Sequence, residues 1–284
     1  MSRIDQTFKS LRQKGQSVLI PFIVAGDPDL ATTEALVLQM AQAGADIIEL
    51  GVPYSDPLAD GPTIQAASQR ALPRGVNLKS VLTLAKNLKE KTIPLIIMTY
   101  FNPVYQYGLK AFAGECKECG IAGVIIPDLP PEEAGPWIEE ARKVRVDTIF
   151  LTAPTSSPER IHRVSKKCRG YIYHVAVTGV TGVREKLSAD LEPAVRRIRE
   201  ISKKPVAVGF GISTPEQAKE VSRFADGIIV GSAIVKIMED GGGKEDMIRR
   251  VGSFITSLAA ACHKKAERCS APPPPFPGLE HTNS

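Results

Sequence analysis

The chain has 284 residues, of which 43% are hydrophobic and 24% charged, with a formal net charge of +5. These values are ordinary for a soluble globular protein, and the chain has no run of about 18 apolar residues that could span a membrane. Its basic residues are scattered and have no aromatic residues interleaved, which argues against a nucleic-acid-binding surface.

Most of the chain consists of short apolar runs that alternate with longer stretches. Met1 to Leu11 is polar and amphipathic, which predicts an N-terminal helix and not a signal sequence. Eight runs follow, each rich in Ile, Val or aromatic residues, as is typical of strands buried on both faces of a parallel sheet. They are Val18–Ala25, Ala45–Leu50, Pro94–Tyr100, Gly123–Pro127, Asp147–Thr152, Tyr171–Ala176, Pro205–Gly209 and Asp226–Val230.

Amphipathic stretches separate these runs and predict helices, among them Pro28–Ala43, Leu191–Ser202, a helix starting at Ser213-Thr214-Pro215, and Glu245–Arg268. Strands alternating with helices predict an α/β fold, and eight repeats predict a closed (β/α)8 TIM barrel with an extra N-terminal helix. An open doubly wound sheet is the alternative. The turn Ala25–Pro28 lacks the Gly-x-Gly-x-x-Gly pattern that would favour it.

The C-terminal segment differs in composition from the rest of the chain. Residues 269–284 include four consecutive prolines, which predicts a disordered tail after a single barrel domain spanning residues 1–268. Five cysteines without a signal peptide predict reduced thiols and a cytoplasmic location. Cys116 and Cys119 form one C-x2-C pair, but no second pair stands at zinc-binding spacing, so no metal site is predicted.

Glycines follow the seventh and eighth predicted strands, directly before predicted helices. They lie in Gly209-Phe210-Gly211-Ile212-Ser213 and in Gly231-Ser232-Ala233. In this fold active sites lie at the C-terminal ends of the strands, and phosphate commonly binds after strands seven and eight. Glycine lets an anion approach backbone N–H groups, and a helix N-terminus adds partial positive charge. Each glycine could serve only a tight turn, but the repetition predicts a phosphate site.

Two carboxylates are candidates for catalysis: Glu49 lies in the second apolar run, and Asp60 lies in the loop after it. Glu49 stands among Ile47, Ile48 and Leu50, where burial would raise its pKa and suit it to donate and accept a proton near neutrality. A buried ion pair is the alternative for this residue. The stiff, proline-rich loop that follows carries Asp60, which could be held in fixed geometry over the barrel mouth or could equally serve a turn.

One further loop, together with the positions of the lysines and histidines, limits the types of reaction that the sequence predicts. Residues 178–184 contain two glycines and two threonines, which predicts either a lid or a plain mobile loop. No lysine stands at the C-terminal end of a predicted strand, which disfavours a Schiff-base aldolase. The four histidines are dispersed, which disfavours a metal-dependent aldolase. The reaction type that the residues still favour is acid–base catalysis by carboxylates without a cofactor.

Five segments together resemble the tryptophan synthase α-subunit family. They are Glu49–Gln65 (ELGVPYSDPLADGPTIQ), Pro127–Pro130 (PDLP), Thr178–Gly182 (TGVTG), Gly209–Ile212 (GFGI) and Gly231–Lys236 (GSAIVK). The resemblance extends over nearly all of the chain up to Arg268, and its first segment is long and highly specific. It implies a carbon–carbon lyase of tryptophan biosynthesis, which cleaves indole-3-glycerol phosphate in a retro-aldol sense to indole and glyceraldehyde 3-phosphate.

The resemblance also implies roles for individual residues. Glu49 would protonate indole C3 and help to deprotonate the glycerol hydroxyl, and Asp60 would hydrogen-bond the indole N–H and stabilise the developing cation. Thr181 would help to orient Asp60. The substrate-binding residues would be Phe22, Ile64, Met98, Ile125, Tyr173 and Thr181, and the phosphate-binding residues Gly182, Phe210, Gly211, Gly231 and Ser232.

The family's usual partner is a β-subunit that carries pyridoxal phosphate. The resemblance therefore implies an αββα heterotetramer, with no cofactor in this chain and with indole passing to the partner through a tunnel. The interface residues would be Pro53, Asp56, Pro57, Asn102 and Pro103. Alternatives are a free-standing indole-3-glycerol-phosphate lyase of the same family, a non-catalytic barrel that only activates a partner, and another phosphosugar enzyme such as an isomerase.

Overall fold

The structure is a computed structural model, and it describes residues 1–176, 187–209 and 211–264. Eight parallel strands form a closed barrel in chain order, and the last strand pairs with the first. They are β1 (Val18–Val24), β2 (Ile48–Gly51), β3 (Leu95–Met98), β4 (Ile121–Ile125), β5 (Asp147–Thr152), β6 (Ile172–Val175), β7 (Val206–Gly209) and β8 (Gly227–Val230). Each predicted run overlaps one strand, so the predicted barrel is confirmed.

Twelve α-helices lie within the described residues. They are α1 (Arg3–Gln13), α2 (Leu30–Gln42), α3 (Pro62–Ala71), α4 (Leu78–Leu88), α5 (Phe101–Tyr107), α6 (Leu109–Glu118), α7 (Gly135–Val144), α8 (Pro158–Lys167), α9 (Leu187–Ile201), α10 (Pro215–Ser222), α11 (Ser232–Glu239) and α12 (Lys244–Cys262). None of them is long and apolar enough to cross a membrane.

Helix boundaries follow capping residues. The predicted helix from Pro28 begins only at Leu30, because Asp29 is its N-cap and accepts a hydrogen bond from Thr32 N at 2.7 Å. The helix predicted to reach Arg268 instead ends at Cys262, with its cap at the next residue. The predicted tail, residues 269–284, lies outside the described residues.

Helix α1 covers the N-terminal end of the barrel. Its buried residues Ile4 and Phe8 belong to the cluster that fills the barrel interior, and the rings of Phe8 and Tyr171 are 5.4 Å apart. Two strand glycines make room for it. A β-carbon on Gly123 would lie 2.8 Å from Ile4 Cδ1, and one on Gly227 would lie 3.2 Å from Phe8 Cε1. The predicted N-terminal helix is therefore confirmed, and it packs side chains into this end of the barrel.

Buried carboxylates at the N-terminal end of the strands have basic partners. Asp226, directly before β8, accepts a hydrogen bond from Val206 N at 3.1 Å and lies 2.8 Å from Arg199 Nη2. Asp147, the first residue of β5, lies 3.5 Å from Arg169 Nε. These pairs join strands to neighbouring helices and loops, which is a structural role.

The cysteine pair is also structural. Cys119 follows the last residue of α6 directly, and Cys116 and Cys119 are both buried. Burial raises the pKa of each thiol. Among the described residues, no group of three or more His, Cys, Asp or Glu side chains is arranged to hold a metal ion.

Candidate active site

Glu49 lies inside the C-terminal half of the barrel. It is the second residue of β2 and is fully buried, next to Phe22 on β1 and Ile96 on β3 in the strand register. Neither carboxyl oxygen has a hydrogen-bond partner in the described part of the chain, so the structure does not support the alternative of a buried ion pair. Burial raises the pKa of Glu49 to about 8, and the nearby charge of Asp60 adds to the effect.

Asp60 lies at the end of the loop between β2 and α3. Its backbone N–H donates to Pro57 O at 3.1 Å, and its carbonyl accepts a hydrogen bond from Gln65 Nε2 at 2.8 Å. Gly61, the N-cap of α3, follows directly. Burial raises the pKa of Asp60 to about 6, although a hydrogen bond from Tyr100 opposes the increase. The structure therefore brings together the two carboxylates that the sequence predicted, with different proton affinities.

Tyr100 is a site residue that the sequence analysis missed. Its hydroxyl accepts a hydrogen bond from Ala59 N at 3.0 Å and donates to the Asp60 carboxylate. Its ring stacks on Tyr54, with the centroids 4.8 Å apart. The Asp60 loop is thus tied to the end of β3. No sequence signal marks this contact, because Tyr100 and Ala59 are 41 residues apart.

The apolar residues predicted to bind substrate lie on four strands of the barrel and on α3. Met98 and Ile125 are paired in the register of β3 and β4, and both join the interior cluster with Tyr173. Ile64, on α3, is buried, as is Phe22. The structure therefore places these five side chains around the C-terminal end of the barrel.

Three glycines allow the rings of Phe22 and Tyr173 to approach the backbone. A β-carbon on Gly51 would lie 2.6 Å from Phe22 Cζ, and one on Gly231 would lie 3.0 Å from Phe22 Cδ1. A β-carbon on Gly209 would overlap the Tyr173 hydroxyl. Larger residues at these positions would clash with the two rings and displace them.

The predicted phosphate residues follow β7 and β8, which pair directly. Gly211 has φ of +78°, a left-handed conformation that favours glycine. Gly231 is the N-cap of α11 and, being a glycine, provides no capping side chain. The first residue of that helix, Ser232, is exposed. A helix N-terminus of this kind has free backbone N–H groups, which suits an anion.

Three predicted site residues cannot be placed. Thr181 and Gly182, together with the predicted lid at 178–184, lie outside the described residues, and so does Phe210.

The residues predicted to face a partner lie in the loop after β2 and at the start of α5. They are Pro53, Asp56, Pro57, Asn102 and Pro103. Asp56 and Asn102 are exposed, whereas Pro53 is buried. Two large apolar side chains in the same segments, Leu58 and Tyr105, are 94% and 68% exposed. The two segments therefore expose both polar and large apolar side chains.

The fold and the site define the class of the protein as a (β/α)8-barrel enzyme with two carboxylates of raised pKa near one another. The model of the tryptophan synthase alpha chain family matches residues 8–263, and the chain belongs to this family. The reaction predicted from the sequence resemblance, the lyase cleavage of indole-3-glycerol phosphate in tryptophan biosynthesis, is thereby confirmed. Nothing in the comparisons favours the non-catalytic or free-standing alternatives.

Individual relatives cover almost the whole barrel. The tryptophan synthase alpha chain of Citrifermentans bemidjiense is 49% identical over 259 residues, covering 91% of this chain and 97% of the relative. That of Thermoanaerobacter sp. (strain X514) is also 49% identical, covering 91% and 98%. The solved tryptophan synthase subunit alpha from Legionella pneumophila str. Paris has a TM-score of 0.85 at 38% identity, covering 92% and 98%. A ligand-free tryptophan synthase structure from M. tuberculosis has a TM-score of 0.84 at 36% identity, covering 93% and 100%.

Proposed function

We propose that Glu49 is the proton shuttle and Asp60 the indole-binding carboxylate of this lyase. The observation that carries the proposal is the fully buried Glu49 carboxyl, which has no hydrogen-bond partner in the described residues and lies near Asp60. A group with a pKa of about 8 is mainly protonated at neutral pH, yet it can lose its proton during a catalytic cycle.

The proposed cycle balances with one proton. The Glu49 carboxylic acid protonates indole C3, and the positive charge that develops spreads to the ring nitrogen. The Asp60 carboxylate accepts a hydrogen bond from the indole N–H and stabilises this cation. The Glu49 carboxylate then removes the proton from the hydroxyl on the carbon attached to C3. That carbon becomes the aldehyde of glyceraldehyde 3-phosphate, the carbon–carbon bond breaks, and its electron pair restores the indole ring.

Binding groups at the two ends of the substrate support this assignment. Phe22, Ile64, Met98, Ile125 and Tyr173 offer an apolar slot for the indole ring. Gly211, Gly231 and Ser232 offer N–H groups and a hydroxyl for the phosphate. In the proposal Thr181, Gly182 and Phe210 complete the site. Holding the substrate at both ends places the bond that breaks beside the carboxylates.

The proposed partner is a tryptophan synthase β-subunit, in an αββα heterotetramer in the cytoplasm. The relatives' description as alpha chains supports a subunit role. The exposure of Leu58 and Tyr105 in the predicted interface segments supports this partner, because large apolar side chains favour burial. Pyridoxal phosphate would belong to that partner, and the proposed chemistry of this chain uses no cofactor.

The deciding experiment measures indole release from indole-3-glycerol phosphate by the purified chain, with and without a β-subunit. We expect release that rises when the β-subunit is added, and none above background with Glu49→Gln. Near-normal turnover of Glu49→Gln would refute the proton-shuttle role. A rate without the β-subunit as high as the rate with it would instead favour a free-standing lyase.

A further inference from the structure

Arg70, the penultimate residue of α3, connects three separate segments. Its Nε and Nη2 donate to Asp27 Oδ1 and Oδ2 at 2.9 and 2.7 Å. Its Nη1 donates to Glu239 Oε1 at 2.7 Å. Asp27 is buried in the loop after β1, and Glu239 is the last residue of α11. A planar guanidinium holds two carboxylates at a fixed relative position, which a lysine ammonium does not.

Each connected segment carries one part of the proposed substrate site. β1 contributes Phe22 to the indole slot. α3 contributes Ile64, and its N-cap Gly61 follows Asp60 directly. α11 begins at Ser232, in the proposed phosphate site. The two helices also pack against each other. The Arg70 bonds therefore join the elements that bind indole to the element that binds phosphate, without touching either end of the substrate site.

We propose that Arg70 is a positioning residue that sets the separation between the indole-binding and phosphate-binding parts of the site. The inference rests on the proposed function, because it assumes that these parts bind the two ends of one substrate. It assigns a use to Asp27, a buried carboxylate that the proposed proton transfers do not involve.

The separation of the two parts affects only ligands that reach both. When one end of such a ligand is bound, the other end finds its site at an effective concentration that depends on geometry. Indole or glycerol phosphate occupies one part and does not sense the separation. A defect in spacing therefore weakens the long ligand and leaves the fragments unaffected, whereas general loss of structure weakens all three.

The choice of variant follows from burial. Removing Arg70 altogether would leave the Asp27 carboxylate buried without its partner, which endangers folding. Glu239 has a side chain that is 36% exposed, so Glu239→Gln weakens only the link to α11 and keeps the pair with Asp27. Arg70→Lys keeps a charge beside Asp27 but cannot hold both carboxylates. Arg249→Gln is a matched control, because Arg249 pairs with Asp246 within α12.

The test measures dissociation constants of the full chain and these variants for indole, glycerol 3-phosphate and 3-(indol-3-yl)propyl phosphate. The last probe joins both ends by an uncleavable chain. We expect Glu239→Gln and Arg70→Lys to weaken its binding about tenfold, equivalent to about 1.4 kcal/mol. The fragments should change by less than about twofold on the same scale, and Arg249→Gln should match the wild type for all three.

Two results would overturn the inference: unchanged binding of the long probe in both variants, or an equal weakening of the long probe and of either fragment. A different result would contradict the proposed function itself. If the wild-type chain bound the long probe no better than the fragments, the two parts would not belong to one substrate site.

Discussion

Two buried carboxylates near opposite ends of the barrel, Asp226 and Glu49, have opposite surroundings. At the N-terminal end, Asp226 accepts a backbone hydrogen bond and lies 2.8 Å from Arg199. In the C-terminal half, Glu49 is at least as deeply buried but has no hydrogen-bond partner in the described residues. Removing the partner of a buried charge costs stability, whereas a buried carboxyl without a partner is kept protonated. The chemistry of this barrel depends on the second arrangement.

The largest effect is expected when Glu49 and Asp226 are each replaced by the corresponding amide. Glu49→Gln should reduce kcat for indole release by about 10²- to 10⁴-fold or more, because the general acid and base is lost. Asp226→Asn should leave kcat within about twofold and should lower the free energy of unfolding by about 1–3 kcal/mol, because a buried charged bond is lost. Steady-state kinetics and urea unfolding of both variants give the four values.

Binding of glycerol 3-phosphate is the control for this exchange. It should be nearly unchanged in Glu49→Gln, since the proposed phosphate site lies on other strands. Loss of activity in Asp226→Asn without loss of stability would show that Asp226 and Glu49 do not divide their roles as described.

The pH dependence of stability gives the second largest effect. The pKa of Glu49 is about 8 in the folded chain and ordinarily 4.5, so the native state keeps a proton that the unfolded state loses. Wild-type stability should therefore fall relative to Glu49→Gln between about pH 5 and 8, by roughly 1.4 kcal/mol per pH unit, and level off above that. Urea unfolding at several pH values measures the difference, and a constant difference would contradict a protonated Glu49.

Phosphate binding should respond more modestly. Ser232→Ala removes one hydroxyl donor from the proposed phosphate site and should raise KM for indole-3-glycerol phosphate about tenfold, as expected for a hydrogen bond to a charged group. kcat should change little, because the lost bond is made in both the ground state and the transition state. Ser213→Ala, in the turn before α10, is the neighbouring control, and an equal effect there would argue against a specific role for Ser232.

The smallest expected effect concerns Tyr100. Its hydrogen bond lowers the pKa of Asp60, which burial raises to about 6, so Tyr100→Phe should raise that pKa further. Glu49 and Tyr173 also face Asp60, and Asp128 lies near Tyr100. These groups stay in place in the variant.

The measurement is a carbon-13 titration of the Asp60 carboxyl in the free chain, assigned with Asp60→Asn. The shift to higher pH should be below about one unit, with at most a few-fold loss of activity near pH 6. Tyr54→Phe is the matched control, because it keeps the ring that stacks on Tyr100. An Asp60 titration that is unchanged in Tyr100→Phe would contradict the role of this hydrogen bond.

Much of this architecture was predictable because its signals are local. Strands buried on both faces form continuous apolar runs, so all eight were found, and a glutamate inside such a run stands out as Glu49 did. Asp60 was different. Its position in a loop left a structural turn equally plausible, and only the resemblance to a family gave it a role.

The contacts that could not be predicted join residues far apart in the chain. Tyr100 and Ala59 are 41 residues apart, and Arg70 lies 43 residues from Asp27 and 169 from Glu239. Each pair meets only because the closed barrel brings the ends of different strands and helices to one rim. A single sequence contains no periodicity or spacing that encodes such meetings.

The helix that covers the N-terminal end of the barrel has a consequence for biosynthesis. Phe8 and Ile4 pack against Gly227 of β8 and Gly123 of β4, and β1 completes the ring by pairing with β8. A ribosome makes α1 before any strand of the barrel and makes β8 after the other seven. The apolar face of α1 therefore stays uncovered while the strands are synthesised, and this early helix is among the last elements to reach its native contacts.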